Sequence, residues 1–229
     1  PPPRRNKESV MSLNFHYAVH TYVDNWVVCD REARKVLGFE SKSMPTDEEA
    51  CEQLMKVANI YSIARNFRKE EVGCARLSPV WTALKEIRQP SCDKEAMSCV
   101  DKLVETLKPT YGHELTSAAS KFLWMRFAHP IIIYDSLTWN WMCDHGGCSR
   151  TGNYGNFYDA WRKNFEENQK EIGTACEELL NANVTRFLCP REDEEKEFEQ
   201  AVKSRWFAER VFDFAIVNDE SQRRSLPKD

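Results

Sequence analysis

Several features of membrane and all-β proteins are missing from this 229-residue chain. It has no apolar run long enough to cross a bilayer and no signal-peptide pattern at its start, so we expect no membrane partner. It also lacks convincing strand alternation and any fixed-period repeat, which disfavours a sandwich, a barrel or a solenoid. What remains is helical periodicity, and it predicts a mainly α fold.

The cysteine pattern does not suit a disulfide framework. There are nine cysteines, an odd number, and they are scattered through segments with helical periodicity rather than paired in loops. This distribution indicates a reducing compartment, and we expect a cytoplasmic protein.

Positive charge is not in excess, since the formal net charge is -4. The acidic stretch 192–200 alone carries a net charge of -5, however, so the rest of the chain is close to neutral at +1. A near-neutral body can still present a local basic face, and nucleic acid therefore remains a possible partner.

The periodicity predicts one helical domain over residues 12–217. The length of the chain also allows two lobes, 12–108 and 109–217, around a shared cleft. Residues 1–11 are expected to form a disordered basic arm and residues 218–229 a frayed polar tail. Start and stop signals predict the helices 12–28, 31–38, 45–67, 78–87, 92–107, 116–127, 136–143, 156–180 and 192–217.

The segment 116–142 contains the strongest functional signal. A helix with small residues at its start leads into a proline-led apolar connector, which ends in Ile133-Tyr134-Asp135 before a second apolar helix. A carboxylate in apolar surroundings is costly unless hydrogen bonds or function retain it. Asp135 is therefore the candidate catalytic residue, although an aspartate at a helix start is also a common N-cap.

This order of helix, apolar connector, aspartate and helix resembles the active centre of helix-hairpin-helix DNA glycosylases, in particular the 8-oxoguanine glycosylase branch. The resemblance covers roughly residues 111–142. It implies a multi-helix, two-lobed domain that flips a damaged or modified base out of DNA, for repair or for defence against foreign DNA. Asp135 would stabilise the sugar cation and activate water, without a cofactor.

Bifunctional members of this family carry a lysine that forms a Schiff base. An ungapped count back from Asp135 puts that place at Thr116, whereas the nearest lysine, Lys121, lies five residues later and is rotated by about 140° on a helix. We therefore expect a monofunctional hydrolase. A Schiff base on Lys121 is the weaker alternative, and a snorkelling Lys121 is the plainer interpretation.

Flat side chains near Asp135 are candidates for the walls of a base pocket: Trp124, Phe127, Tyr134, Trp139 and Trp141. Candidate DNA contacts come from three places in the sequence. They are Gly112 and His113 in the turn after residue 111, Arg126 and His129 in the helix and connector, and Arg150, Arg162 and Lys163 beside the glycine-rich loop.

Two possible metal sites lack a complete ligand set, so we expect no metal. His16 and His20 share a helix face, and Cys143 and Cys148 flank two glycines, but neither pair has partners at a recognised spacing. The competing function is a non-enzymatic α-helical interaction module in which Asp135 is only a cap. The sequence leaves the oligomeric state and the identity of the base open.

Overall fold

A computed structural model describes residues 13–39, 43–67, 73–182 and 191–225. Within these ranges the protein is mainly α and contains no strand, which confirms the predicted fold class. The helices are α1 (Phe15–Asn25), α2 (Arg31–Leu37), α3 (Asp47–Ile60), α4 (Ser78–Lys85), α5 (Asp93–Tyr111), α6 (Thr116–Phe127), α7 (Ser136–Asp144), α8 (Tyr154–Asn181), α9 (Glu192–Val202) and α10 (Arg205–Ser225). A π-helical turn, Trp26–Asp30, joins α1 to α2.

Helix α10 lies at the centre of the packing, in contact with α1, α7 and α8. Its Phe212 is fully buried and makes ring contacts with Phe15, Trp161 and Phe165. Burial of such large aromatic side chains is the main favourable term in folding. The buried apolar residues form one continuous cluster that draws on both predicted lobes.

Local sequence signals explain where several helices begin. Thr46 and Asn153 each form a capping box, with the side chains of Glu49 and Asn156 respectively, at the starts of α3 and α8. Gly112 ends α5 with a φ of 79°, a left-handed conformation that glycine adopts without a steric penalty.

Two predicted helix ends are wrong. Helix α3 ends at Ile60 rather than near residue 67, and Ser62 follows with a φ of 56°. Helix α5 runs through Pro109 to Tyr111 instead of stopping before the proline. Pro109 has no N–H to donate to the carbonyl four residues earlier, and only Thr110 and Tyr111 follow it before the helix ends at Gly112.

The last predicted helix, 192–217, is two helices. They are separated at Ser204, whose hydroxyl donates to Ala201 O at 2.6 Å and accepts from Phe207 N at 3.3 Å. The frayed tail predicted from residue 218 is also wrong as far as it is described, because α10 continues to Ser225 and Asp219 is buried. The predicted arm, residues 1–11, lies outside the described residues.

In the described part of the chain, no helix combines the length and the apolar character needed to cross a bilayer.

Candidate active site

Asp135 is held by its position at the start of α7. Its Oδ1 accepts a hydrogen bond from Leu137 N at 2.9 Å, so the carboxylate is the N-cap of this helix. The other oxygen, Oδ2, lies 3.3 Å from Lys121 Nζ. The side chain is 33% exposed, so one face of the carboxylate is capped and the other is open to a cavity.

Lys121 comes from the middle of α6 and is almost inaccessible, with 2% of its side chain exposed. Its Nζ also donates to Ser117 Oγ at 2.7 Å and to Tyr134 O at 3.1 Å. Burial lowers the pKa of Lys121, and the nearby Arg210 cation lowers it further, while Asp135 opposes both effects. The ammonium is thus less favoured here than in water.

Two expectations about Lys121 are therefore wrong. Its side chain does not point away from Asp135, as the count predicted by placing the family's lysine at Thr116, five residues before Lys121. It also does not snorkel, because its ammonium group is buried and hydrogen-bonded rather than hydrated.

Lys121 and Asp135 line one cavity of about 600 Å³. Its walls come from the end of α3 and the following loop, from α6, from the connector to α7, and from α10. This volume is in the range of small-molecule sites. Arg65 also lines the cavity, and its side chain is exposed.

A buried polar network forms part of the cavity wall. Arg210 donates to Asp213 Oδ2 at 2.6 Å and to Tyr61 Oη at 3.1 Å, and Tyr61 in turn donates to Asp30 at 2.7 Å. Trp161 Nε1 donates to Asp213 Oδ1 at 2.7 Å. Burial raises the pKa of Asp213 to about 6 even though Arg210 favours its charged form. The network fixes a cation close to Lys121.

The structure brings one of the five predicted pocket aromatics to this cavity. Tyr134 lines it. Trp124 is buried in the core between Arg34 and Arg210. Trp139 packs on Tyr134, and Trp141 Nε1 donates a hydrogen bond to Asp219. Phe127 lines a different cavity. Aromatic residues that are close to Asp135 in sequence are thus mainly core residues.

Two predicted DNA contacts are engaged within the protein. Glu209 is buried, and its Oε1 lies 2.6 Å from Arg162 Nη1 and 2.8 Å from His129 Nδ1. Arg162 also pairs with Asp93 at 3.3 Å. A guanidinium that already pairs with two carboxylates has fewer N–H groups free for a phosphate, and the carboxylates offset its positive charge.

Four of the other five predicted DNA contacts lie on the surface. Gly112 and His113 are exposed in the turn after α5, where His113 Nδ1 contacts Tyr111 O at 2.9 Å. Arg150 pairs with Asp144 at 2.6 Å. Lys163 is exposed. Arg126 is instead buried, with 5% of the residue exposed, and it lines the same cavity as Phe127 rather than that of Asp135.

Neither of the two candidate metal-binding pairs, His16/His20 and Cys143/Cys148, gains further ligands. The described residues contain no group of three or more metal-ligating side chains. His16 Nδ1 lies 3.1 Å from Glu178 instead. Cys143 and Cys148 are free thiols, and Cys143 raises the pKa of Cys148 in addition to burial.

Sequence reasoning missed Ser117, which lies within the segment 116–142, and the cavity residues contributed by distant segments, chiefly Tyr61, Arg210 and Asp213. The last two could have been noticed, because they are charged residues three apart on the apolar stripe of a helix. Tyr61 gave no signal, since a tyrosine at a helix end is ordinary.

Comparison of the chain with protein-family models, with curated proteins and with solved structures finds no match.

Proposed function

We propose that the protein is a DNA glycosylase, in which Asp135 and Lys121 act on a base flipped into the 600 Å³ cavity. The observation that carries the proposal is the distance of 3.3 Å between Lys121 Nζ and Asp135 Oδ2 at the wall of this cavity. A carboxylate beside a desolvated lysine is the pair that the resemblance to helix-hairpin-helix glycosylases implies.

Asp135 would stabilise the reaction electrostatically. Cleavage of the N-glycosidic bond leaves positive charge on the sugar, and a fixed carboxylate lowers the energy of that charge. The N–H of Leu137 holds one oxygen of Asp135, so the carboxylate needs little reorganisation as the charge develops. The base departs with the bonding electron pair and takes a proton from water.

Lys121 would act as the nucleophile, which revises the expectation of a monofunctional enzyme. That expectation rested on a lysine facing away from Asp135. The lowered pKa of Lys121 favours the neutral amine, whose lone pair can form a bond to C1′ as the bond to the base breaks. Asp135 is within reach to accept the proton that the new secondary ammonium releases. The nitrogen lone pair then forms a C1′=N bond as the C1′–O4′ bond breaks, and O4′ takes a proton from water. The product is a protonated Schiff base between Lys121 and the opened sugar, which borohydride can reduce.

The exposed Arg65 at the same cavity is a suitable contact for a phosphate next to the flipped nucleotide. The alternative, an interaction module in which Asp135 is only a cap, accounts for the hydrogen bond from Leu137. It gives no reason for a lysine buried beside the second carboxylate oxygen.

The test is base release from duplex DNAs that each carry one natural, oxidised, alkylated or phage-type hypermodified base. We expect the protein to make abasic sites in at least one duplex and Asp135→Asn to lower the rate by at least about a hundredfold. Asn at position 135 can still accept the hydrogen bond from Leu137, so folding should survive.

Asp144→Asn is the matched control, because this carboxylate is at the other end of α7 and pairs with the exposed Arg150. It should release base at the wild-type rate. The proposal would be overturned if the wild-type protein released no base from any duplex, or if the wild type and Asp135→Asn released base at equal rates.

A further inference from the structure

A second cavity, of about 590 Å³, shares none of its described lining residues with the first. Its walls come from the π-helical turn and α2, from Gly38 and Phe39, from the end of α6, from α9, and from Trp206 at the start of α10. It therefore cannot be an extension of the site that holds Lys121 and Asp135.

Arg126 gives this cavity an unusual electrostatic character. Only 5% of the residue is exposed, and its Nη1 donates to Leu37 O at 3.1 Å. It forms no ion pair with any carboxylate in the described part of the chain. Its Cζ lies instead 5.4, 5.5 and 5.9 Å from the ring centroids of Trp81, Phe127 and Phe39. Burial lowers its pKa, with no opposing effect from an anion. Buried charges are normally paired, so this guanidinium has the capacity to bind an anion.

The other charged residues that line the cavity are mainly cations. Among the residues that the structure describes, four cations line the cavity, Arg31, Arg34, Lys35 and Arg126, against one carboxylate, Glu197. Glu197 is already held by Arg31 at 2.8 Å and by Lys35 at 3.1 Å. Arg31 is also paired with Glu194 at 3.3 Å. An anion that enters the cavity can therefore pair with Arg126 without displacing Glu197.

Aromatic rings lie beside these cations. The guanidinium of Arg34 lies 4.2 Å from the ring centroid of Trp206. Phe39 is 53% exposed and packs against Phe127, with 5.9 Å between the ring centroids. An exposed ring next to a cationic wall suits a flat heterocycle that carries a phosphate, because the ring can stack while the phosphate meets the cations.

We propose that this second cavity binds a nucleoside phosphate, with the phosphate on Arg126 and the base stacked on Phe39. The same chemistry is offered by a free mononucleotide and by a nucleotide within a single DNA strand. The site does not depend on the glycosylase activity, since none of its residues belongs to the first cavity.

Isothermal titration at fixed ionic strength tests the site with three probes: inorganic phosphate, adenosine 5′-monophosphate and a five-nucleotide single-stranded DNA. We expect the mononucleotide to bind about tenfold more tightly than phosphate, because the base adds stacking. Tighter binding of the oligonucleotide would assign the site to a DNA strand. Tighter binding of the mononucleotide would assign it to a free nucleotide.

Two variants separate the two parts of the site. Phe39→Ala should remove the tenfold advantage of the mononucleotide and leave phosphate binding unchanged. Arg126→Gln should abolish binding of all three probes, with its folding checked by urea denaturation. Tyr17→Ala, a control at a ring that is also exposed but lies outside the cavity, should behave as the wild type.

The proposal is overturned if no probe binds at millimolar concentration, or if Phe39→Ala binds the mononucleotide as tightly as the wild type does. Since Phe39 is exposed, that second outcome does not depend on whether Arg126→Gln folds.

Discussion

Lys121→Met changes the pH dependence of stability in a direction that the structure fixes. The substitution removes an ammonium that is 2% exposed, together with its contacts to Ser117, Tyr134 and Asp135. In the wild type, the folded state has a lowered lysine pKa, chiefly because of burial. Between that value and the ordinary value of 10.5, the unfolded state binds more protons than the folded state.

The free energy of unfolding of the wild type should therefore rise with pH across this window, relative to Lys121→Met. One titrating group gives a maximum slope of about 1.4 kcal/mol per pH unit, and the total gain is about 1.4 kcal/mol for each unit by which the pKa is lowered. The assay is urea denaturation of both proteins at pH 7, 8, 9 and 10. Groups that titrate equally in both proteins cancel in the difference.

Lys163→Met is the matched control, because Lys163 is exposed and its ammonium loses little hydration on folding. Its profile should run parallel to that of the wild type. A difference between wild type and Lys121→Met that stays constant or falls as pH rises would refute the argument that Lys121 is desolvated.

Two further predictions concern stability. Asp213→Asn leaves the buried Arg210 without its nearest counter-ion and should lower the free energy of unfolding by about 3 kcal/mol, measured by urea denaturation. Asp144→Asn, which breaks the exposed pair with Arg150, should cost less than about 1 kcal/mol, and equal losses in the two variants would contradict this reasoning. Thr46→Ala removes a capping box and should lower the melting temperature by an amount equivalent to about 1 kcal/mol, so an unchanged melting temperature would speak against the cap.

The parts of the fold that could be predicted from sequence are those governed by local signals. The predicted bounds of α6, Thr116–Phe127, agree with the structure because small residues open this helix and an apolar connector follows it. The start of α7 at Ser136 was predictable from the capping side chain of Asp135. The boundaries that failed, near Ile60 and Ser204, depend on single side chains and backbone angles that leave no periodic trace.

The candidate site was predictable only in part. Asp135 stood out because a carboxylate next to three isoleucines needs an explanation. The orientation of the Lys121 side chain relative to Asp135 was mispredicted. It depends on the path of the connector, where the chain reverses at Ala128 with a φ of 52°. The contribution of Arg210 and Tyr61 arises from packing between segments about 150 residues apart, which no local pattern encodes.

Reductive trapping tests the central claim most directly, since it reports the bond that the lysine would form. Duplex DNA with a base that the protein releases is incubated with enzyme and borohydride, and covalent complexes are separated on a denaturing gel. We expect a protein–DNA adduct with the wild type and none with Lys121→Met, while Asp144→Asn traps normally. Base release without any adduct would contradict the role of Lys121, and an adduct that persists in Lys121→Met would place the nucleophile elsewhere.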